Sequence, residues 1–346
     1  MSTIAPLAAA LLLLASGSAM ANDHLAVIEQ TGTNNSAEQT QRGVMLRSFI
    51  LQDGTENNAI SEHSGSGSDA GQASIDQTGS LNSAAIYQVN GSRSGMASGE
   101  IYQVGTSNTA TLEQLEYSGE LASAAALYQE GTGNRIAARQ TWVANALDVV
   151  SVGQDNVVAA NQTGFSTAEV RQIGSANILR LEQLSSGLGG GWAVIEQDGT
   201  ANQADVLQRS GRYPAADVHL RQAGAANIAQ IEARDGYSTL DYAQRGTGNT
   251  LDAYIAGHNS SLTGYSEGDY NTVVSSQVGD DNSLAITQAG TYNEIEATQN
   301  FSAHEALISQ TGNGNQAVLM QAEALVGHSA SIVQNGTGKV ANVSQQ

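Results

Sequence analysis

Amides and glycines, rather than thiols or imidazoles, are the side chains that recur at fixed spacing in this chain. Gln stands at Gln30, Gln52, Gln77, Gln103, Gln129, Gln172, Gln197, Gln222, Gln244, Gln288, Gln310 and Gln334, with Ser151 and Ser266 filling the two places where the series skips. Two residues on there is always a glycine: Gly32, Gly54, Gly79, Gly105, Gly131, Gly153, Gly174, Gly199, Gly224, Gly246, Gly268, Gly290, Gly312 and Gly336. Five residues on comes an asparagine: Asn35, Asn57, Asn82, Asn108, Asn134, Asn156, Asn177, Asn202, Asn227, Asn249, Asn271, Asn293 and Asn315, giving way to Lys339 in the last unit. A second Gln follows the first by eleven residues, except where His63, Ala233 or Ile255 takes its place. A primary amide carries both donors and an acceptor, so amides set one above another can hydrogen-bond along a column without any charge. Glu in the same places would bury a column of like charges at high cost. The Gln and Asn are therefore expected to form structural ladders, and the Gly to make turns, since glycine accepts positive φ without steric cost.

Other chemistries find little support. There is no Cys, so neither a disulfide framework nor a thiolate metal site is available. The six His residues, His24, His63, His219, His258, His304 and His328, do not fall into a spaced ligand motif. On the outward face of a repeat they are expected to be solvated. Acids are numerous enough for pairs to arise from periodicity alone, whereas a β-helical carbohydrate-active enzyme would gather acids and Arg in one groove on longer coils. The glycine-aspartate nonapeptides of calcium-binding solenoids are missing. Asp155 and the pair Asp280-Asp281 stand in turns, as candidates for no more than weak calcium binding. No enzyme activity, metal or cofactor is expected. Charge narrows the partners further: 13 Lys and Arg against 33 Asp and Glu give a formal charge of −20, and Lys339 is the single Lys. A nucleic-acid binder needs a basic face, and an anionic membrane surface would repel this chain.

The elements that must position these amides can be read from Ala73-x-Ile75-x-Gln77-x-Gly79-x-x-Asn82-x-Ala84-x-Ile86-x-Gln88. Two segments of period two are joined across a glycine turn. In strands, alternate residues share a face, so folding the second segment over the first directs both sets inward. In the first segment Ile, Leu, Val or Tyr usually stands two before the Gln, as at Ile28, Ile50, Ile195 and Tyr242. In the second, a small and a large residue follow the Asn, as in Ala84 with Ile86 or Val158 with Ala160. Such pairs fill a narrow core between sheets about 10 Å apart. The predicted fold is all-β, a β-solenoid of stacked two-strand coils with two facing parallel sheets. Some fourteen repeats of 21–26 residues form a single repeat domain over residues 22–346. The connection between paired Gln positions never changes length, while the return connection varies, so insertions are expected along one edge only. With 38 Gly and 2 Pro, the chain is glycine-turned without being collagen-like or Pro-rich.

Residues 1–21 read as a signal peptide, with an apolar core at Leu7–Ala15 and a small-x-small site at Ala19-Met20-Ala21. No stretch is long enough to span a membrane as a helix, so the mature chain is expected outside the cytoplasm. The outermost coils carry the common core pattern, Ala26-x-Ile28-x-Gln30 at one end and Ile332-x-Gln334 with Ala341-x-Val343-x-Gln345 at the other. Neither shows the polar cap of a solenoid that stays monomeric, nor a Pro or dense charge to block an open edge.

Gln77-Thr-Gly79-Ser-Leu-Asn82-Ser-Ala84-Ala-Ile-Tyr-Gln88 and the equivalent Gln103–Gln114, Gln197–Gln208 and Gln310–Gln321 resemble the curlin repeat, Ser-x5-Gln-x-Gly-x-x-Asn-x-Ala-x3-Gln, of the curli amyloid subunits of bacterial biofilms. The leading Ser of that motif is inconsistent here, with Gly71 and Ala97 in its place, and the repeats outnumber those of the familiar subunits. The resemblance implies an exported, cell-surface-associated subunit that polymerises into extracellular cross-β fibres for adhesion and biofilm cohesion. Its partners would be other copies joined through terminal coils, other curlin-like subunits and a curli-type outer-membrane export pore. A major subunit, a nucleator and an accessory protein all fit the sequence. A monomeric repeat adhesin is the alternative.

Overall fold

The computed structural model describes residues 24–346, apart from 66–70, 92–96, 117–120, 186–188, 212, 235 and 323–326. The segment read as a signal peptide lies outside the described residues, as do parts of the inserted loops at 64–68, 187–191 and 211–214.

Among the described residues twenty-eight strands follow one another, and alternate strands hydrogen-bond into two sheets of fourteen. One sheet runs from Leu25–Thr33 and Arg47–Thr55 to Ser329–Thr337. The other runs from Ser36–Arg42 and Asn58–Gly65 to Val340–Gln345. All pairing is parallel and in register, like over like: Gln30 lies opposite Gln52 and Gly32 opposite Gly54, and Gln77 opposite Gln103. Strands adjacent in sequence face each other across the core. The protein is thus an all-β solenoid of fourteen coils, on the order of 65 Å long at about 4.8 Å per coil.

Alternation decides which side chains enter the core. In the Gln77 coil, Ala73, Ile75, Gln77, Asn82, Ala84, Ile86 and Gln88 are all at most 1 % exposed, while Ser74, Asp76, Ala85 and Tyr87 between them remain partly exposed. A coil's few apolar side chains contribute only about 2 kcal/mol each, far less than the entropy of ordering its backbone. Stability therefore comes from stacking, as in other repeat proteins.

At the constant edge the chain reverses through glycines that a Cβ would not fit. Gly199 has φ +122, and a Cβ there would lie 2.0 Å from the carbonyl oxygen of Gly224 in the next coil. Two residues further on the backbone is left-handed again, at Glu56, Leu81, Ser107, Asp155, Ala201, Tyr270 and Tyr292 among others. Non-glycine residues rarely adopt that conformation, and it is held here by the neighbouring Asn described below.

One departure from the repeat compensates for itself. Tyr242 takes an Ile position and is fully buried, and in the following coil Gly264 and Ser266 replace the usual Ile and Gln. Those smaller residues leave room for the ring. The phenol oxygen meets Ser266 Oγ at 2.8 Å, and Ser266 Oγ donates to Gln288 Oε1 at 2.7 Å. A second departure lies in the first coil, where Gln39 points inward at a position most coils give to an apolar residue, its Nε2 donating to the Val27 carbonyl at 2.9 Å. That polar residue was not anticipated in an end expected to match the middle coils.

Candidate functional site: the buried amide columns

The first-strand Gln side chains form hydrogen-bonded runs along the rod. Gln30 Nε2 donates to Gln52 Oε1 at 2.6 Å, and the chain of bonds continues through Gln77 and Gln103 to Gln129 at 2.7–2.8 Å. It resumes from Gln172 through Gln197 and Gln222 to Gln244, and again from Gln288 through Gln310 to Gln334. The second-strand column is built alike, from Gln88 to Gln208 and from Gln277 to Gln345. In both columns every Gln–Gln bond runs from the Nε2 of one coil to the Oε1 of the coil that follows it. The same Nε2 also reaches a main-chain carbonyl of the opposite sheet, in the preceding coil for the first-strand column, as from Gln77 to Asn58 and from Gln103 to Ser83, and within its own coil for the second, as from Gln88 to Gln72. Each amide thereby ties neighbouring coils and both sheets together.

This polarity explains what the sequence gaps cost. A residue whose side chain makes no bond to the coil ahead leaves the next Gln with an unused acceptor. Gln88 follows His63, Gln172 follows Ser151 and Gln277 follows Ile255, and in all three the buried Oε1 has no partner. Ser266 can donate, and Gln288 is satisfied. An unmet buried acceptor costs about 1–3 kcal/mol. Ser151→Gln should therefore stabilise the protein by roughly 1–2 kcal/mol, read as a higher urea midpoint with an unchanged slope. An unchanged or lower midpoint would mean that bridging the gap between Gln129 and Gln172 brings no stability.

The Asn column works differently from a plain ladder. Asn Nδ2 does donate to the Asn Oδ1 of the preceding coil, as from Asn82 to Asn57 at 3.2 Å, but Asn is one methylene shorter than Gln and sits where the chain turns, so its amide also engages main chain. Asn57 Nδ2 donates to the Gly79 carbonyl at 2.9 Å, and Asn57 Oδ1 accepts the Asn82 main-chain N–H at 3.1 Å. The same clamp recurs from Asn35 on Gly54 to Asn315 on Gly336, each Asn fixing the glycine turn of the following coil. Lys339 needs to supply only its main-chain N–H, which donates to Asn315 Oδ1 at 3.1 Å.

A matching column on the variable edge stands at the place of the curlin motif's leading Ser, which the sequence reading noted only as inconsistent. It lies six residues before each first-strand position. Ser238 Oγ donates to the Gly257 carbonyl and accepts the Ser260 N–H, both at 3.0 Å. Asn282 Nδ2 donates to the Phe301 carbonyl at 2.7 Å, while its Oδ1 accepts the His304 N–H at 3.1 Å. The available signal was the recurrence of Ser, Asn or His at this offset, interrupted by Leu46, Gly71, Ala97, Gly191 and Ala216.

Two of the His residues expected to be solvated are instead inside. His304 and His63 are at most 1 % exposed. Burial, reinforced by His24, pushes the His63 imidazole down to about 4. The unfolded ring takes its proton near 6.5, so this coil is most stable above that pH and loses stability as pH falls from 6.5 toward 4. Burial raises the carboxyl of Glu116, whose Oε1 accepts the Ser123 N–H at 2.5 Å. On the outer faces Arg139 pairs with Glu113 at 3.0 Å and Arg221 with Glu196 at 2.7 Å across neighbouring coils. Such exposed pairs are worth at most about 1 kcal/mol and leave the surface strongly acidic.

Among the described residues no group of three or more His, Cys, Asp or Glu is placed to hold a metal ion. Nor is any helix there long and apolar enough to cross a membrane. What the arrangement does chemically is join coil to coil. No curated protein matches the chain. Residues 291–322, the stretch that holds Gln310, Gly312, Asn315 and Gln321, match the family described as the curlin associated repeat.

Proposed function

We propose that the chain is an exported structural subunit that polymerises end to end into curli-like extracellular fibres, supporting adhesion and biofilm cohesion. The observation that carries this reading is the in-register stacking of like on like, which gives the outermost coils the bonding pattern of the interior ones. Ile28 is 45 % exposed in the first coil, whereas the equivalent Ile50 one coil further in is 1 % exposed. A second copy stacked there would bury Ile28 as Ile50 is buried. The curlin-repeat match over residues 291–322 supports the same reading, and with it passage through a curli-type outer-membrane pore. The monomeric adhesin is favoured by Gln39 and Lys339, polar residues in the columns of the two outermost coils, since polar end coils keep solenoids monomeric.

Seeded growth of residues 22–346, followed by light scattering and thioflavin fluorescence, tests the proposal. The formal charge of −20 opposes stacking and is screened within about 8 Å at physiological ionic strength. Elongation at pH 7 should accelerate from low salt to about 0.15 M, and again as carboxylates protonate toward about pH 4–5. The acid gain will be opposed by the loss of stability around His63. A chain that stays monomeric across the whole grid, even when seeded, would overturn the proposal in favour of the adhesin reading.

A further inference from the structure

The column six residues before the first-strand position contains His at three of its places, His24, His304 and His328. These belong to the first coil and the last two coils. Within one molecule, His24 is separated from the others by most of the rod. In a stack of molecules joined last coil to first, the three become consecutive.

The poses agree with such a join. The rings of His304 and His328 stack with centroids 5.5 Å apart and planes within 6°, and the His328 main-chain N–H donates to His304 Nδ1 at 3.1 Å. At the other end, the Leu46 main-chain N–H donates to His24 Nδ1 at 3.2 Å. Both rings thus turn Nδ1 toward the coil that follows. The Gln columns impose the same direction. Every Gln–Gln bond runs from one coil to the next, so the last coil offers the Nε2 of Gln334 and Gln345 while the first offers the Oε1 of Gln30 and Gln41. A join of two first coils would set acceptor against acceptor.

Building on the end-to-end reading above, we infer that His24 of a second copy seats on His328, so that His304, His328 and the incoming His24 form one imidazole stack across the junction. The stack fixes both the polarity and the lateral register of the join. The incoming His24 N–H takes the place at His328 Nδ1 that the His328 N–H occupies at His304.

Paired charge substitutions test it. His24→Asp with His328→Asp places like charges face to face at the junction, and His24→Lys with His328→Asp places opposite ones. Seeded elongation should slow at least about tenfold in the first pair and stay within about threefold of wild type in the second, because like charges a few ångströms apart repel strongly. The three single variants, His24→Asp, His24→Lys and His328→Asp, complete the double-mutant cycles. Circular dichroism and urea midpoints of the unassembled chains confirm that each variant folds. If the wild type elongates but each pair shows only the product of its single effects, His24 and His328 do not meet, and the inference falls while the end-to-end reading stands. If the folded wild type does not elongate, both fall.

Discussion

Ile195→Asp should unfold the central coils, whereas Glu196→Asp, one residue along, should leave the rod intact. Ile195 is 1 % exposed and lies between Val170 and Leu220 in its sheet. The substitution removes about 2 kcal/mol of apolar burial and forces a carboxylate into a core one side chain thick, where it must stay unpaired or take up a proton. The combined loss is on the order of 4 kcal/mol or more. Glu196 points outward and pairs with Arg221 at 2.7 Å, both side chains more than a third exposed, so shortening it costs less than about 1 kcal/mol. Urea denaturation by far-ultraviolet circular dichroism reads both. Equal losses would contradict the strand register, because a slip of one residue exchanges the two faces.

Two alanine substitutions in the glycine column should separate folding from assembly. In Gly199→Ala the new Cβ would fall 2.0 Å from the Gly224 carbonyl oxygen and 2.9 Å from its carbon. Gly224 cannot retreat, since it is stacked just as closely on Gly246. The clash and the positive φ together should cost about 3 kcal/mol or more. They would also disturb the Asn177 clamp, whose Nδ2 donates to the Gly199 carbonyl at 3.1 Å. Gly336, in the last coil, has φ +121, but a Cβ there would meet only Lys339 Cε, at 3.5 Å. Gly336→Ala should thus lower stability by only about 1–2 kcal/mol and leave a folded monomer. Throughout the column the Cβ would point at the following coil, so in an end-to-end fibre it would strike Gly32 of the next copy. Seeded elongation of Gly336→Ala should fall below detection while its circular dichroism stays native. Normal elongation by this variant would show that copies do not join through the glycine edge of the last coil.

Most of the fold was legible because each structural need repeats at a fixed offset. The constant Gly and Asn mark one edge, the paired Gln mark the strand ends, and the period of two between them assigns the faces. The direction of the Gln columns was not legible, since an amide offers donor and acceptor alike and only packing chooses which points forward. Nor was the compensation at Tyr242, because Gly264 and Ser266 look like separate lapses until the register sets them in the next coil. The column on the variable edge showed only as an inconsistent leading Ser, because Ser, Asn and His all accept a main-chain N–H there and apolar residues interrupt the series. His63 could have been placed inside from its spacing alone, eleven residues after Gln52. Residue type, which suggested a solvated ring, was the poorer guide.

Mass per unit length of the thinnest filaments, measured by scanning transmission electron microscopy, tests end-to-end assembly most directly. A chain of 35.7 kDa wound into fourteen coils at about 4.8 Å per coil gives about 0.5 kDa per Å of filament. One chain laid flat in each 4.8 Å layer would instead give about 7 kDa per Å. A value near the first figure is the result expected of rods stacked last coil to first, and a value near the second would contradict it.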